Sequence, residues 1–331
     1  VQEGETVHCP GLAEALTTLA AEGPESFYTG TLGRLIAADT TANGGLLSAE
    51  DLAAYEPIVR DPLQLQLDDW TVSTNPGPAL GGAAVAAFLA LTRDVDGWDP
   101  QNVARMTVAL AAVLGYRHEH LDDAGDREAA VDTLMALAGS GDAARLLSSP
   151  STVHASAVDA DGLACSISTS SGYGSGAIVP GTGIWLNNSL GEVELLPAGM
   201  GAHPPGSRLP SNMAPSIARR DDGTVVAIGS PGASRISSAV GQVMLNHLRL
   251  GMPLEDAVAH SRLHVELFQG ESTVAHEPGV DISRIGDEFQ PRPFGAPSMY
   301  FGGTHAAAWA PDTGLEAVAD PRRAGGTAIA G

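Results

Sequence analysis

The sequence contains no lysine: all 17 basic residues of its 331 are arginine. That absence removes a Schiff-base amine, a phosphate-loop lysine and a lysine general base together, which argues against pyridoxal phosphate and nucleotide-triphosphate chemistry. Positive charge is scarce as well. The 17 arginines face 39 acidic residues, a formal charge of −22, and such a chain repels phosphate backbones and anionic membranes, so no nucleic-acid partner is expected. The two cysteines, Cys9 and Cys165, lie far apart with no CxxC spacing, which leaves no basis for a disulfide framework, a zinc ribbon or a redox motif. Cys165 alternates with apolar neighbours and is expected to be buried. Long apolar runs are missing too. The longest, Leu80 to Leu91, is broken by Gly81 and Gly82 and falls short of the roughly 20 residues that span a bilayer. Val1 opens the chain without an initiator methionine, a charged n-region or an apolar h-region, so the start reads as a processed or truncated end and the compartment stays open.

What is present suffices for a globular protein: 44% of residues are apolar, enough for one large core or two modest ones. The first half reads as helix. Pro10 to Gly23, Gly30 to Gly44 and Ser48 to Tyr55 carry alanine and leucine at three- and four-residue spacings, and Ser48 with Asp51 has capping-box spacing. After a short extended stretch, Leu63 to Ser73, helical periodicity resumes over Gly82 to Leu91, Val103 to Gly115 and Arg127 to Leu147. The polar run Ser148-Ser149-Pro150-Ser151 reads as an exposed linker. Beyond it strands dominate. Three hairpins are predicted, Thr152 to Val158 with Leu163 to Thr169, Ala214 to Arg219 with Thr224 to Gly229, and Ala306 to Ala310 with Leu315 to Ala319. Between the second and third lie two predicted helices, Ser234 to Leu250 and a shorter one after Pro253. Hairpins with helices segregated from them predict a layered α+β domain.

Thr152 follows the linker and opens the first hairpin. Were the peptide bond before it cut, this threonine would carry both a nucleophilic hydroxyl and a free α-amino group, whose pKa of about 8 suits a general base. A threonine at a strand start is also what strand propensity alone would place there.

The wider pattern carries more. The run Thr152-Val153-His154-Ala155-Ser156-Ala157-Val158-Asp159-Ala160-Asp161-Gly162 resembles the start of the small subunit of γ-glutamyltranspeptidases, usually written TTHxSVVDxDG. Tyr173-Gly174-Ser175-Gly176, Pro180-Gly181-Thr182-Gly183-Ile184, Leu186-Asn187-Asn188, Gly191-Glu192, Pro205-Gly206-Ser207-Arg208, Met213-Ala214-Pro215 and Gly229-Ser230-Pro231-Gly232 follow in family order. The helical half is similar through Phe27-Tyr28-Thr29-Gly30, the run from Gly44 to Tyr55, and Pro76-Gly77-Pro78-Ala79-Leu80-Gly81-Gly82.

This resemblance implies an N-terminal-nucleophile hydrolase with a four-layer αββα sandwich. Residues 1–151 would form the C-terminal part of the large-subunit region and residues 152–331 the small-subunit region, together one catalytic domain. It implies self-cleavage between Ser151 and Thr152 into a large/small subunit heterodimer, and attack by Thr152 on a γ-glutamyl carbonyl, with an amino acid or water as acceptor and no cofactor. Gly232 and Ala233 would supply oxyanion-binding N–H groups, and Glu192 would pair with the glutamyl α-ammonium. Ser211 and Asn212 would hold its α-carboxylate, while Ser170 and Ser171 would support the nucleophile. A related amidohydrolase on another acyl group and a non-catalytic fragment are the alternatives.

The departures are specific. Val153 replaces the usual second threonine, Asn212 and Ala233 stand where serine and glycine are common, and Pro210 interrupts the run Arg208 to Met213. Family members also carry a long stretch upstream of the residues that match Val1 to Tyr55, including sheet strands and a carboxylate-gripping arginine. That segment, or a second chain, is the expected partner. Arg208 and Arg235 are the arginines nearest in sequence to the proposed pocket. His260 and His264, four apart on a predicted helix, lack the intervening acid of a zincin, and His118-Glu119-His120 projects its histidines in different directions, so no metal site is expected.

Overall fold

The computed structural model describes residues 5–121, 127–140, 152–172, 174–192, 195–196, 199, 204–268 and 271–330. The expected helices of the first half are present as α1 (Leu12–Glu22), α2 (Thr31–Ala42) and α3 (Ala49–Ala53). Ser48 and Asp51 form the expected capping box at the start of α3. The extended stretch is a hairpin, β1 (Leu63–Leu67) and β2 (Trp70–Thr74), closed through Asp68 at φ 51°. Then come α4 (Gly81–Leu91), α5 (Pro100–Tyr116) with a π-helical turn to Leu121, and α6 (Arg127–Ser140). The last residues of the helix expected to Leu147, and the linker to Ser151, lie outside the described residues.

The first expected hairpin is β3 (Val153–Val158) with β4 (Ala164–Thr169). A small hairpin of β5 (Ile178–Val179) and β6 (Ile184–Trp185) follows, then the second expected one, β7 (Ser216–Arg220) with β8 (Val225–Gly229). Helix α7 (Arg235–Met244) continues as a π-helical turn to Arg249, and α8 (Leu254–Ala259) follows Pro253. Three strands not anticipated from sequence come next: β9 (Leu263–Phe268), β10 (Glu271–His276) and β11 (Phe289–Pro293). The third expected hairpin, β12 (His305–Ala310) with β13 (Gly314–Val318), closes the fold. His260 and His264 therefore do not share a helix. The helix ends at Ala259 and His264 lies in β9, since the run from Leu263 alternates as a strand does.

The chain divides into two compact units, Val1–Arg60 with Tyr173–Asn188, and Asp61–Gly172 with Ser189–Gly331. In the smaller unit the β5–β6 turn presses on the start of α1. A Cβ at Gly11, itself at φ 83°, would lie 2.5 Å from the Gly181 carbonyl oxygen, so only glycine admits this approach. The Glu22 carboxylate accepts from the Thr31 amide at 3.1 Å and its hydroxyl at 2.8 Å, capping α2.

In the larger unit six antiparallel strands form one sheet in the order β1-β2-β7-β8-β12-β13. Val72, Ala218, Val226, Ile228, Ala306 and Ala308 point from it into a core shared with α4, α5 and α7. Helix α4 is buried along its length from Gly81 to Leu89, which explains its unbroken apolar character without a membrane. No described helix is long and apolar enough to cross one.

The opposite face of this sheet carries the β3–β4 hairpin, and here the usual pattern is inverted. Small polar residues point inward: Ser166 Oγ donates to the Ile228 carbonyl at 2.9 Å, and Ser156 Oγ to that of His305 at 3.3 Å. Apolar residues point outward, with Val153 67% and Ile167 53% exposed. Cys165 accordingly is exposed, contrary to expectation. Alternation correctly predicted the strand, but in β4 the apolar set occupies the outer face. Among the described residues the larger unit thus shows α+β layering of helices, six-stranded sheet and hairpin.

Beyond the sheet end, four charges are buried together. Arg262 pairs with Asp320 at 2.6 Å, and Arg322 bridges Asp320 at 3.2 Å and Glu277. Removing one partner of such a cluster strands the others without solvent. Arg322→Met is expected to lower unfolding free energy by about 3–5 kcal/mol, read as a shifted urea midpoint with an unchanged m-value.

Candidate active site

The register of the strands brings the segments that carry Ser211, Asn212, Gly232 and Ala233 to one end of the six-stranded sheet. Thr74 pairs with Ser216, Ser216 with Ile228, Gly229 with His305, and Ala306 with Val318. The segments that leave or enter at this end are those after β2, β8 and β13 and those before β1, β7 and β12. The hairpin is aligned with them, because Val153 pairs with Thr169 and the His154 ring lies against Gly229. A Cβ on Gly229 would stand 2.2–2.7 Å from three atoms of that imidazole. Glycine there is what lets the hairpin approach.

Thr152 immediately precedes β3 at this end. Its residue is buried, and it lines a cavity of about 710 Å³ together with His154, Pro231, His305 and Arg323. The adjoining turn after β8 is tightly determined. Gly232 has φ 134° and a Cβ there would come within 2.8 Å of Gly302 Cα. Ala233 is held at φ 57°, in the left-handed region, a placement that costs a non-glycine residue roughly 1–2 kcal/mol. Such a strained turn opening a buried helix presents backbone N–H groups to whatever carries negative charge beside it.

The other expected residues fall as follows. Ser170 and Ser171 lie just past β4, next in register toward Thr152, and Ser170 Oγ accepts from the Gly172 amide at 3.2 Å. Ser211 and Asn212 lie before β7 against the start of α4, where the Ser211 carbonyl accepts from the Leu80 and Gly81 amides at 2.8 and 3.2 Å. Asn212 is buried and its Oδ1 finds no donor among the described residues. Gly81 permits this docking, since a Cβ there would sit 2.1 Å from the Asn212 carbonyl oxygen. Glu192 is buried, not an exposed turn acid. None of these five lines the cavity that holds Thr152.

His154 and Arg323 line that cavity without a role expected of them from sequence. His154 is fixed by Ser168 Oγ at Nδ1 and Ser156 Oγ at Nε2, each at 2.8 Å. Its i, i+2 relation to Thr152 and Ser156 in a strand was a legible signal. Arg323 had none, lying far along the chain from Thr152.

Comparison with known proteins decides the family. The γ-glutamyltranspeptidase family model matches residues 1–330. The chain belongs to the γ-glutamyltranspeptidase family. It is 31% identical over 303 residues to the glutathione hydrolase proenzyme of Pseudomonas aeruginosa, covering 81% of this chain and 54% of the relative. It is 33% identical over 307 residues to the glutathione hydrolase 5 proenzyme of Mus musculus, covering 81% and 53%. The chain thus spans about half the length of the curated relatives it matches. Among solved structures, a cephalosporin acylase from Bacillus halodurans superposes with a TM-score of 0.74 at 25% identity, covering 94% of this chain and 61% of that one.

His154 generates a pH prediction. Burial, reinforced by nearby His305, lowers its pKa from 6.5 to about 4. The unfolded chain therefore binds a proton that the folded chain refuses. The resulting stability is fully present above pH 6.5 and is lost as pH falls toward 4, in all about 3 kcal/mol. In urea titrations at pH 7 and pH 4.5, wild type is expected to lose more stability between the two than His154→Gln; equal losses would show that the imidazole does not titrate as a buried group.

Proposed function

We propose that this chain is the catalytic portion of an enzyme that cleaves γ-glutamyl amide bonds, acting on glutathione-like compounds with Thr152 as nucleophile. The observation that carries the reading is the burial of Thr152 at the cavity, with the strained Gly232–Ala233 turn at the same end of the sheet. After cleavage of the bond that precedes it, the Thr152 α-amine takes the proton from Oγ while Oγ attacks the γ-carbonyl. The Gly232 and Ala233 N–H groups receive the oxyanion. Collapse expels the amine, which takes the proton, and leaves an ester on Thr152; water or an amino acid then displaces the acyl group and restores the hydroxyl.

In this reading Glu192 pairs with the α-ammonium, Ser211 and Asn212 contact the α-carboxylate, and Ser170 and Ser171 support the nucleophile. Family membership and the burial of Glu192 and Asn212 support these roles. No cofactor is required by the chemistry. The processed enzyme would be a large/small subunit heterodimer. An upstream family segment would cover the apolar outer face of β3–β4 and complete an αββα sandwich.

A second reading is acylase activity on another acyl group, such as a glutaryl amide. The fold likeness to the cephalosporin acylase favours it. A γ-glutamyl anilide and a glutaryl anilide separate the two, because only the first offers an ammonium to Glu192.

In the natural full-length chain, Thr152→Ala is expected to leave one uncleaved band on denaturing gels and to abolish anilide hydrolysis. Continued splitting at the same bond would assign cleavage to an outside protease and remove Thr152 from the nucleophile role. Glu192→Gln is expected to weaken γ-glutamyl substrates by about 1.5–3 kcal/mol, seen in kcat/KM. Glutaryl substrates should be indifferent to it.

A further inference from the structure

We infer that Ser230 is a positioning residue for the turn after β8: its hydroxyl sets the direction in which the Gly232 N–H points. This role rests on the catalytic reading above, in which that N–H receives the oxyanion. Ser230 itself stays behind the cavity wall. Pro231 lines the Thr152 cavity and Ser230 does not.

A trans peptide is planar, and its C=O and N–H point in opposite directions. Whatever holds the carbonyl of one residue therefore aims the N–H of the next. Both peptides of this turn are trans, and both carbonyls are held. The Pro231 carbonyl accepts from Ser230 Oγ at 2.7 Å, which aims the Gly232 N–H. The Gly232 carbonyl accepts from the Arg235 amide at 3.0 Å, which aims the Ala233 N–H. Gly232 and Ala233 are buried, yet neither N–H donates to another described residue. Buried N–H groups without an acceptor are rare in native proteins, and two in succession suit a place kept for a ligand oxygen.

The two planes are held by different means. The second is closed by a main-chain bond into the first turn of α7 and needs no side chain. The first has little local restraint, because turning it over changes ψ of Pro231 and φ of Gly232. A proline ring fixes only its own φ, and glycine takes positive and negative φ about equally well. Gly232 stands at φ 134°. The Ser230 hydroxyl is what selects the orientation of this plane.

Ser230 is placed to do so. It is fully buried, so water does not compete for its hydroxyl. Its lone pair accepts from the Gly303 amide at 3.0 Å, and a hydroxyl has one proton, which is thereby directed to Pro231. Gly303 is in turn a fixed point. The Ser298 amide donates to Glu277 at 2.8 Å, the Phe301 carbonyl accepts from Arg262 Nη1 at 3.2 Å, and the Thr304 amide donates to Asp320 at 2.8 Å. The segment around Gly303 is thus tied on both sides to the buried charge cluster. Gly302, at φ 82°, brings that segment close, since a Cβ there would lie 2.8 Å from Ser230 Oγ and 3.0 Å from the Pro231 carbonyl oxygen. Arg235 pins the same segment to the start of α7, its Nε donating to the Tyr300 carbonyl at 3.1 Å. Ser230 is the link between this rigid frame and the peptide that carries the Gly232 N–H.

Processed enzyme from the natural full-length chain tests the role through two variants. Ser230→Ala removes both bonds, and Ser230→Cys keeps the shape with a weaker donor and acceptor. An aimed N–H acts where charge reaches the oxygen, in acylation and deacylation alike, and not in ground-state binding. With a γ-glutamyl anilide, Ser230→Ala is expected to lower kcat roughly ten- to hundredfold and leave KM within about twofold. Ser230→Cys should fall between it and wild type. A boronic acid analogue of the γ-glutamyl group, whose tetrahedral adduct with Thr152 Oγ puts an oxygen where the oxyanion forms, gives a second readout by titration calorimetry. Its dissociation constant should rise by the factor by which kcat falls, while that of L-glutamate stays unchanged.

Wild-type kcat in a processed variant, a loss confined to KM, or a kcat loss with boronate affinity intact would each overturn the role. If one variant does not fold, as judged by circular dichroism, the other carries the test. Failure of both to give folded, cleaved enzyme would make Ser230 a residue of the fold alone and overturn the role as well. Hydrolysis that survives Thr152→Ala would remove the catalytic reading itself, whereas hydrolysis that needs Thr152 but is indifferent to Ser230→Ala would remove only the role of Ser230.

Discussion

Four buried charges tie together the loops at one end of the six-stranded sheet. Glu277 accepts from the Arg262 and Ser298 amides at 2.9 and 2.8 Å, as well as from Arg322. Asp320 accepts from the Thr304 amide at 2.8 Å, and Arg322 donates to the carbonyls of Val258 and His260 at 3.1 and 2.7 Å. One cluster thus joins the end of α8, the start of β9, the loop before β12 and the segment after β13. Burial alone would push the Asp320 carboxyl up, but Arg262 and the groups of Arg322 and Thr304 hold it below the ordinary aspartate value. Each charge is tolerable only because the others are present. The position of Gly302–Gly303 beside the Gly232 turn depends on that mutual support.

A second constraint acts between the layers. Near Thr152 the hairpin meets small residues of the sheet, with Gly229 under His154 and Ala227 paired with Ala307 beyond it. Serines then complete the contact by hydrogen bonds to main-chain oxygens rather than by apolar packing. An interface of this kind is directional. It fixes the register of β3, and with it the place of Thr152, more sharply than a layer of interchangeable aliphatic groups would.

The same polarity inversion explains both a success and a failure of sequence reading. Alternation marked β3 and β4 correctly as strands, yet period two says nothing about which alternate set faces inward. The apolar neighbours of Cys165 predict an interior position, and it lies outside because those neighbours form the outer face. The strands β9 to β11 escaped for a related reason. Leu263 to Phe268 alternates as a strand does but follows α8 so closely that it reads as a continuation of the helix, and Pro291 and Pro293 interrupt the pattern of β11.

The sequence by itself determined the family, the strand that follows Thr152, the helices of the first half with the capping box of α3, and the glycine-rich turn at Gly232, because each rests on residues close together in the chain. Only the tertiary structure decided that Gly229 exists to receive His154, that Glu192 and Asn212 are buried, and that Arg323, rather than Arg208 or Arg235, reaches the cavity of Thr152. Those facts depend on which strand ends meet across a six-stranded sheet. Strand order and the burial of charge are set by non-local pairing, and no local pattern in the chain encodes them.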